Sequence, residues 1–136
     1  MGSILKRRAR RDEGGAAAVE FALIMIPFFV LIFGLVEYGY YFYVAQNTSG
    51  AASTLARKME VGDCWATPLT FAQKQSGEVT AVSVTPNQTT SPAVGTTFTV
   101  TLTANAKLVT FLPLPGGGTL TRQVTAQIED DKATSC

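Results

Sequence analysis

The side chains that catalyse, hold metals or form covalent links are scarce in this chain of 136 residues, which has no histidine and two cysteines, Cys64 and Cys136. Without an imidazole there is no Ser/His/Asp triad or Cys/His dyad, and the usual zinc ligands are too few. No nucleophile, base and orienting group can be assembled from the remaining residues, so the chain is not read as an enzyme, and no metal or cofactor is expected. Two chemistries stay open. One belongs to Glu20, the single charge among the 21 residues from Ala16 to Val36. A carboxylate in such a run costs several kcal/mol on insertion into lipid and normally needs a partner. The alternative role is modest: complementing the helix dipole from the first turn and snorkelling to the headgroups, worth about 1 kcal/mol or less. The other chemistry is a disulfide between Cys64 and Cys136.

The element that must position Glu20 is a helix. Ala16 to Val36 spans about 32 Å at 1.5 Å per residue, close to the hydrocarbon thickness of a bilayer. Apolar side chains fill every face of it, so an aromatic stripe of a soluble core helix fits poorly. It also exceeds the apolar run of a cleaved secretory signal. Residues 1–15 carry five Lys/Arg against two acids, while residues 16–136 carry six against eight. A basic flank before the first span stays in the cytoplasm, which places the rest of the chain outside. That short head is also too small a basic surface for a nucleic-acid interface. Nine of the 13 aromatics fall between Phe21 and Tyr43. Tyr38, Tyr40, Tyr41 and Tyr43 suit an interfacial belt, with rings in lipid and hydroxyls among headgroups. Pro27 lacks an N–H and frees the Leu23 carbonyl, which should bend the span. Gly34 and Gly39 are five apart, not the four of a GxxxG helix pair. Glu37, about 25 Å along the helix from Glu20, is either a solvated interfacial carboxylate or a contact to a partner subunit.

The junction Gly14-Gly15-Ala16-Ala17-Ala18-Val19-Glu20-Phe21, after a basic leader, resembles a type IV prepilin signal. The resemblance implies cutting after Gly15 by a membrane prepilin peptidase, which makes Ala16 the new N-terminus and Glu20 the fifth residue. Glycine would let the backbone enter the protease without a side chain and interrupt helix propagation, making Gly14-Gly15 an extended joint. It further implies that Glu20 pairs with the N-terminal amine of a neighbouring subunit, a pair favoured in low dielectric and able to set register. From Ala16 to about Glu60 the sequence resembles TadE-like pseudopilins of bacterial tight-adherence (Flp-type) pilus systems. Its carriers are Val19-Glu20-Phe21-Ala22-Leu23, Pro27, Gly34, Glu37-Tyr38-Gly39, and Ala51-Ala52 through Ala56-Arg57. The implied protein is a minor pilin or pseudopilin of the inner membrane, with other pilin subunits and the inner-membrane assembly platform as partners. From a different class, the alternative is an uncleaved single-pass envelope protein whose head binds a partner, with Glu20 incidental.

Beyond the tyrosines, Val44, Thr48, Ala51, Leu55 and Met59 recur at helical spacing, so the helix should continue to about Glu60 with Gly62 as its cap. Alternation predicts strands. Phe98, Val100, Leu102 and Ala104 face one way with Thr97, Thr99, Thr101 and Thr103 opposite; Leu120, Val124, Ala126 and Ile128 alternate with polar residues. Val82 and Val84 begin a weaker strand before Pro86, and Leu108 to Leu112 suggest a fourth. The expected fold is α+β: a long N-terminal helix packed on a small antiparallel head, pilin-like, with residues 1–15 a cytoplasmic leader, 16–43 the span and its belt, 44–62 the amphipathic continuation and 63–136 the head. Thr85 to Thr97 reads as a loop. Asn47-Thr48-Ser49 and Asn87-Gln88-Thr89 match the glycosylation sequon, read as chance in the bacterial protein that the resemblance implies. On the expected topology Cys64 and Cys136 meet an oxidising periplasm, and their bridge would close a loop of about 73 residues, worth about 4 kcal/mol.

Overall fold

A computed structural model of the chain describes residues 6–107 and 113–130, with side chains from residue 15 onward. The chain divides into two compact units, Met1–Val36 and Glu37–Cys136. In the first, residues from Lys6 on belong to α1 (Lys6–Glu60), which continues past Pro27 although that residue has no N–H to donate. The same helix passes through Gly14-Gly15, which corrects the expectation of an extended joint there. The flanking Arg, Glu and Ala residues favour helix strongly enough to carry it across two glycines, each costing about 1 kcal/mol relative to alanine.

In the second unit α1 lays one stripe on a sheet. Val44, Thr48, Ala51, Ala52, Leu55, Ala56 and Met59 are all buried, the face that the spacing predicts. The helix stops where expected. Gly62 takes φ +84°, its N–H donates to Met59 O at 3.1 Å, and Asp63 N–H donates to Lys58 O at 2.9 Å. That pair of bonds closes the last turn around a left-handed residue, which glycine adopts without strain. The Glu60 carbonyl is taken by Glu129 N–H at 2.8 Å and Asp130 N–H at 3.1 Å, tying the end of the last strand to the helix terminus.

The sheet is an antiparallel meander in the order β1 (Val79–Thr85), β2 (Thr97–Asn105), β3 (Thr119–Gln127). On its inner face Val84, Val100 and Val124 align across the three strands, as do Val79, Ala104 and Leu120. Phe98, Val100, Leu102 and Ala104 are buried against α1, and the threonines between them face outward. The pairing slips by one residue between Val79 and Ala81, a bulge that explains why β1 was the weakest strand pattern. Three strands are described where four were expected; the fourth, Leu108 to Leu112, lies outside the described residues. One element was not foreseen: α2 (Pro68–Gln75), started by Pro68 in its first turn and burying only Ala72. Trp65 closes the top of the core, its ring meeting Phe98 edge-to-face at 5.2 Å and its Nε1–H donating to Met59 O at 3.1 Å.

Candidate membrane span and assembly segment

In the first unit the apolar side chains of α1 have no protein cover. Most of the large ones between Val19 and Val36 are exposed, from 38% at Ile32 to 75% at Leu35, Met25 is partly covered, and none is buried. A soluble core helix would bury one face; here every face of a segment long and apolar enough to cross a membrane is bare. An uncovered apolar surface of this size calls for lipid or other helices.

Gly15, Ala16 and Glu20 stand at the start of this segment, all exposed. A Cβ placed on Gly15 would meet nothing within 4 Å, so nothing in the fold itself demands glycine there. Glu20 has neither a hydrogen bond nor an ion pair among the described residues. Its carboxylate is therefore presented outward from the helix, with no cation paired to it among the described residues to compensate it in lipid.

Glu37 is placed differently from the solvated carboxylate that one sequence reading expected. It is 3% exposed, so it is not a solvated carboxylate, and it interacts with other described residues. The reason is helical phase. Positions 37, 41, 44, 48, 51, 55 and 59 fall on one face at spacings of four and three, so Glu37 continues the stripe that packs on the head.

The tyrosines divide by the same phase. Tyr40 and Tyr41 pack against the core, Tyr40 also lying beside the Glu78 side chain, and the Tyr38 hydroxyl donates to the Pro113 carbonyl at 3.1 Å. Phe42 and Tyr43 are each 61% exposed. The expected belt of four tyrosines is thus shared with the head: three serve the second unit, and Tyr43 with Phe42 faces outward.

Cys64 is 1% exposed, held at φ +65° in the turn after α1, and is not a free thiol; Cys136 lies outside the described residues. Two contributors escaped the sequence reading. Trp65 announced itself only as the single tryptophan beside a cysteine. Arg122 sits on the inner side of β3 opposite Leu102, where its Nε–H donates to the Ser49 hydroxyl of α1 at 3.0 Å. Its signal was the break in alternation between Leu120 and Val124, an inward charge of the kind that guards edge strands.

The geometry defines an α+β protein with a single N-terminal helix capable of membrane anchoring. Residues 15–57, about a third of the chain, match the sequence model of the TadE-like protein family. The match begins at Gly15 of the junction and ends in the last turns of α1. No curated protein and no solved structure matches the chain. Residues 58–136, the head, therefore rest on their own geometry.

Proposed function

We propose that this chain is a structural subunit, a minor pilin or pseudopilin, of a tight-adherence (Flp-type) pilus. In this reading the basic leader stays in the cytoplasm and α1 crosses the inner membrane. A prepilin peptidase cuts between Gly15 and Ala16, and the head stands in the periplasm before the subunit joins or initiates the pilus through other subunits and the assembly platform. The observation that carries it is the bare apolar helix with one outward carboxylate at Glu20, within the segment that matches the TadE-like family. A charge this costly has a use if it meets the amine that cleavage creates on a neighbour's Ala16; in low dielectric the pair is attractive while either charge alone is disfavoured. Gly14-Gly15 must leave the helix to enter a protease, and two glycines make that opening easier by about 2 kcal/mol than two alanines would. Pro27, which frees the Leu23 carbonyl, would ease bending as the helix leaves the bilayer.

Glu20→Ala tests the assembly step. The variant should insert in the membrane at least as well as the wild type and be incorporated poorly into sheared pili or cross-linked envelope complexes. Incorporation at the wild-type level would show that Glu20 only complements the first turn. The competing reading, an uncleaved single-pass envelope protein, predicts that the protein keeps its leader and that Glu20→Ala changes nothing.

A further inference from the structure

The two Asn-x-Ser/Thr triplets and the hydroxyl-rich loop have no role in membrane anchoring, and the fold treats them very differently. Asn47-Thr48-Ser49 lies inside α1, where the Thr48 hydroxyl donates to Val44 O at 2.7 Å and the Ser49 hydroxyl to Ala45 O at 2.9 Å. Its backbone is committed to the helix and its hydroxyls are taken. Asn87-Gln88-Thr89 and Thr90 lie in the loop between β1 and β2, exposed, with no side-chain hydrogen bond among the described residues.

The same test applies to the other described hydroxyls; Thr67 is also exposed with no side-chain hydrogen bond, but its backbone is held at the start of α2, its carbonyl accepting Phe71 N–H at 3.2 Å. Ser53 and Thr54 donate to carbonyls one turn back at 3.0 and 2.9 Å. Thr99 and Thr125 bond each other at 2.9 Å across the sheet, and Thr80 donates to Thr103 O at 3.2 Å. Ser91 donates to the neighbouring Pro92 carbonyl at 3.3 Å. Strand hydroxyls that are not paired still sit on backbone held in a ladder, which a modifying enzyme cannot lift out. Thr89 and Thr90 are exposed, unpaired and on backbone outside helix and ladder. Pro86 and Pro92 flank them, and prolines, which lack an N–H and push the preceding residue to extended geometry, keep such a segment open.

The surroundings add a chemical reason. From Val79 to Ala106 there is no charged residue in 28, so this half of the head depends on hydroxyl and amide groups for its contact with water. Gly95 N–H donates to Ile128 O at 2.8 Å, next to the Glu60 end of α1, so the loop lies about 35 Å along the helix from Glu37. A hydrated group there would not disturb the residues at the start of the second unit. Exposed Ser/Thr with proline is the composition that accepts O-linked sugars.

We propose that Thr89 and Thr90 are acceptors for O-linked glycosylation. The Thr Oγ1 attacks the anomeric carbon of a glycosyl diphosphate donor, forming the new C–O bond. The anomeric bond to the phosphate oxygen breaks, the diphosphate leaves with its electron pair, and the hydroxyl proton passes to a base of the transferase. No oxidant or reductant is needed.

Full-length protein from its native host, cut by trypsin after Lys74 and Lys107, yields the peptide 75–107 for mass measurement. The proposal predicts that peptide heavier by whole glycosyl residues, lost on β-elimination with a dehydrated threonine at 89 or 90. It also predicts the plain sequence mass in the Thr89→Val/Thr90→Val double variant. A wild-type peptide at its sequence mass overturns it without any variant having to fold. So does an increment that persists in the double variant, or one carried by Asn87 and released with conversion to aspartate.

Discussion

Leu55→Ala measures how much of the second unit's stability rests on the seam between α1 and the sheet. Leu55 is fully buried in the same cluster as Met59, Phe98 and Leu102. Removing its isobutyl group loses the transfer energy of the buried atoms and leaves a hole that the surrounding strands fill only partly; Leu→Ala changes at such sites cost about 2–5 kcal/mol. Taking about 3 kcal/mol for a site closed on all sides, and about 4–8 °C per kcal/mol for a domain of this size, the melting temperature should fall by about 12–24 °C. Ser53, two residues earlier and exposed, is the control: its hydroxyl only donates to the Ser49 carbonyl of the same helix. Ser53→Ala should stay within about 0.5 kcal/mol of the wild type, since back-bonding gives little to a helix and alanine favours it. The assay is thermal unfolding of the full chain in detergent, followed by near-ultraviolet circular dichroism. The Trp65–Phe98 edge-to-face pair supplies the signal from inside the core. A Leu55→Ala melting point unchanged from wild type, or an equal drop for Ser53→Ala, would refute the packing of this stripe as the origin of the head's stability.

Gly15→Leu should leave the precursor uncut in the inner membrane; because a side chain at Gly15 finds open space, normal processing of that variant would refute the cleavage site rather than report a folding defect. Glu37→Ala should destabilise the second unit by about 1–3 kcal/mol, the usual cost of leaving buried polar partners unsatisfied, with the loss visible in isolated subunits. A stability equal to wild type together with failed assembly would return Glu37 to a subunit contact. Cys64 is buried, so alkylation is informative only after unfolding without reduction. We expect neither Cys64 nor Cys136 to react under those conditions, and two labelled thiols would remove the bridge and its roughly 4 kcal/mol.

Residue periodicity carried the reading wherever a single face was buried. The stripe from Val44 to Met59, the Gly62 cap and the alternation in β2 were legible because burial there repeats at the period of the element. Where the period breaks, the reading failed. The bulge at the start of β1 hides its alternation, and α2 buries only Ala72, too little to leave a pattern. The solvated reading of Glu37 failed because its charge suggested a surface position, although its phase with Tyr41 and Val44 already placed it on the packed face. The Gly14-Gly15 joint was read from glycine's dislike of helices, which the neighbouring helix formers outweigh. Glu20 was visible as the single charge in an apolar run, and Gly15 through the resemblance of its junction to a prepilin signal. On the proposed assembly, the amine that answers Glu20 would belong to another copy of the chain, which a single chain does not contain.

The mass of the N-terminal peptide of protein purified from its native host tests the central claim most directly. Processing at the proposed junction predicts a chain that begins at Ala16, with Glu20 as its fifth residue. A chain that begins at Met1, Gly2 or Ser3, with Gly15 still joined to Ala16, would contradict the account.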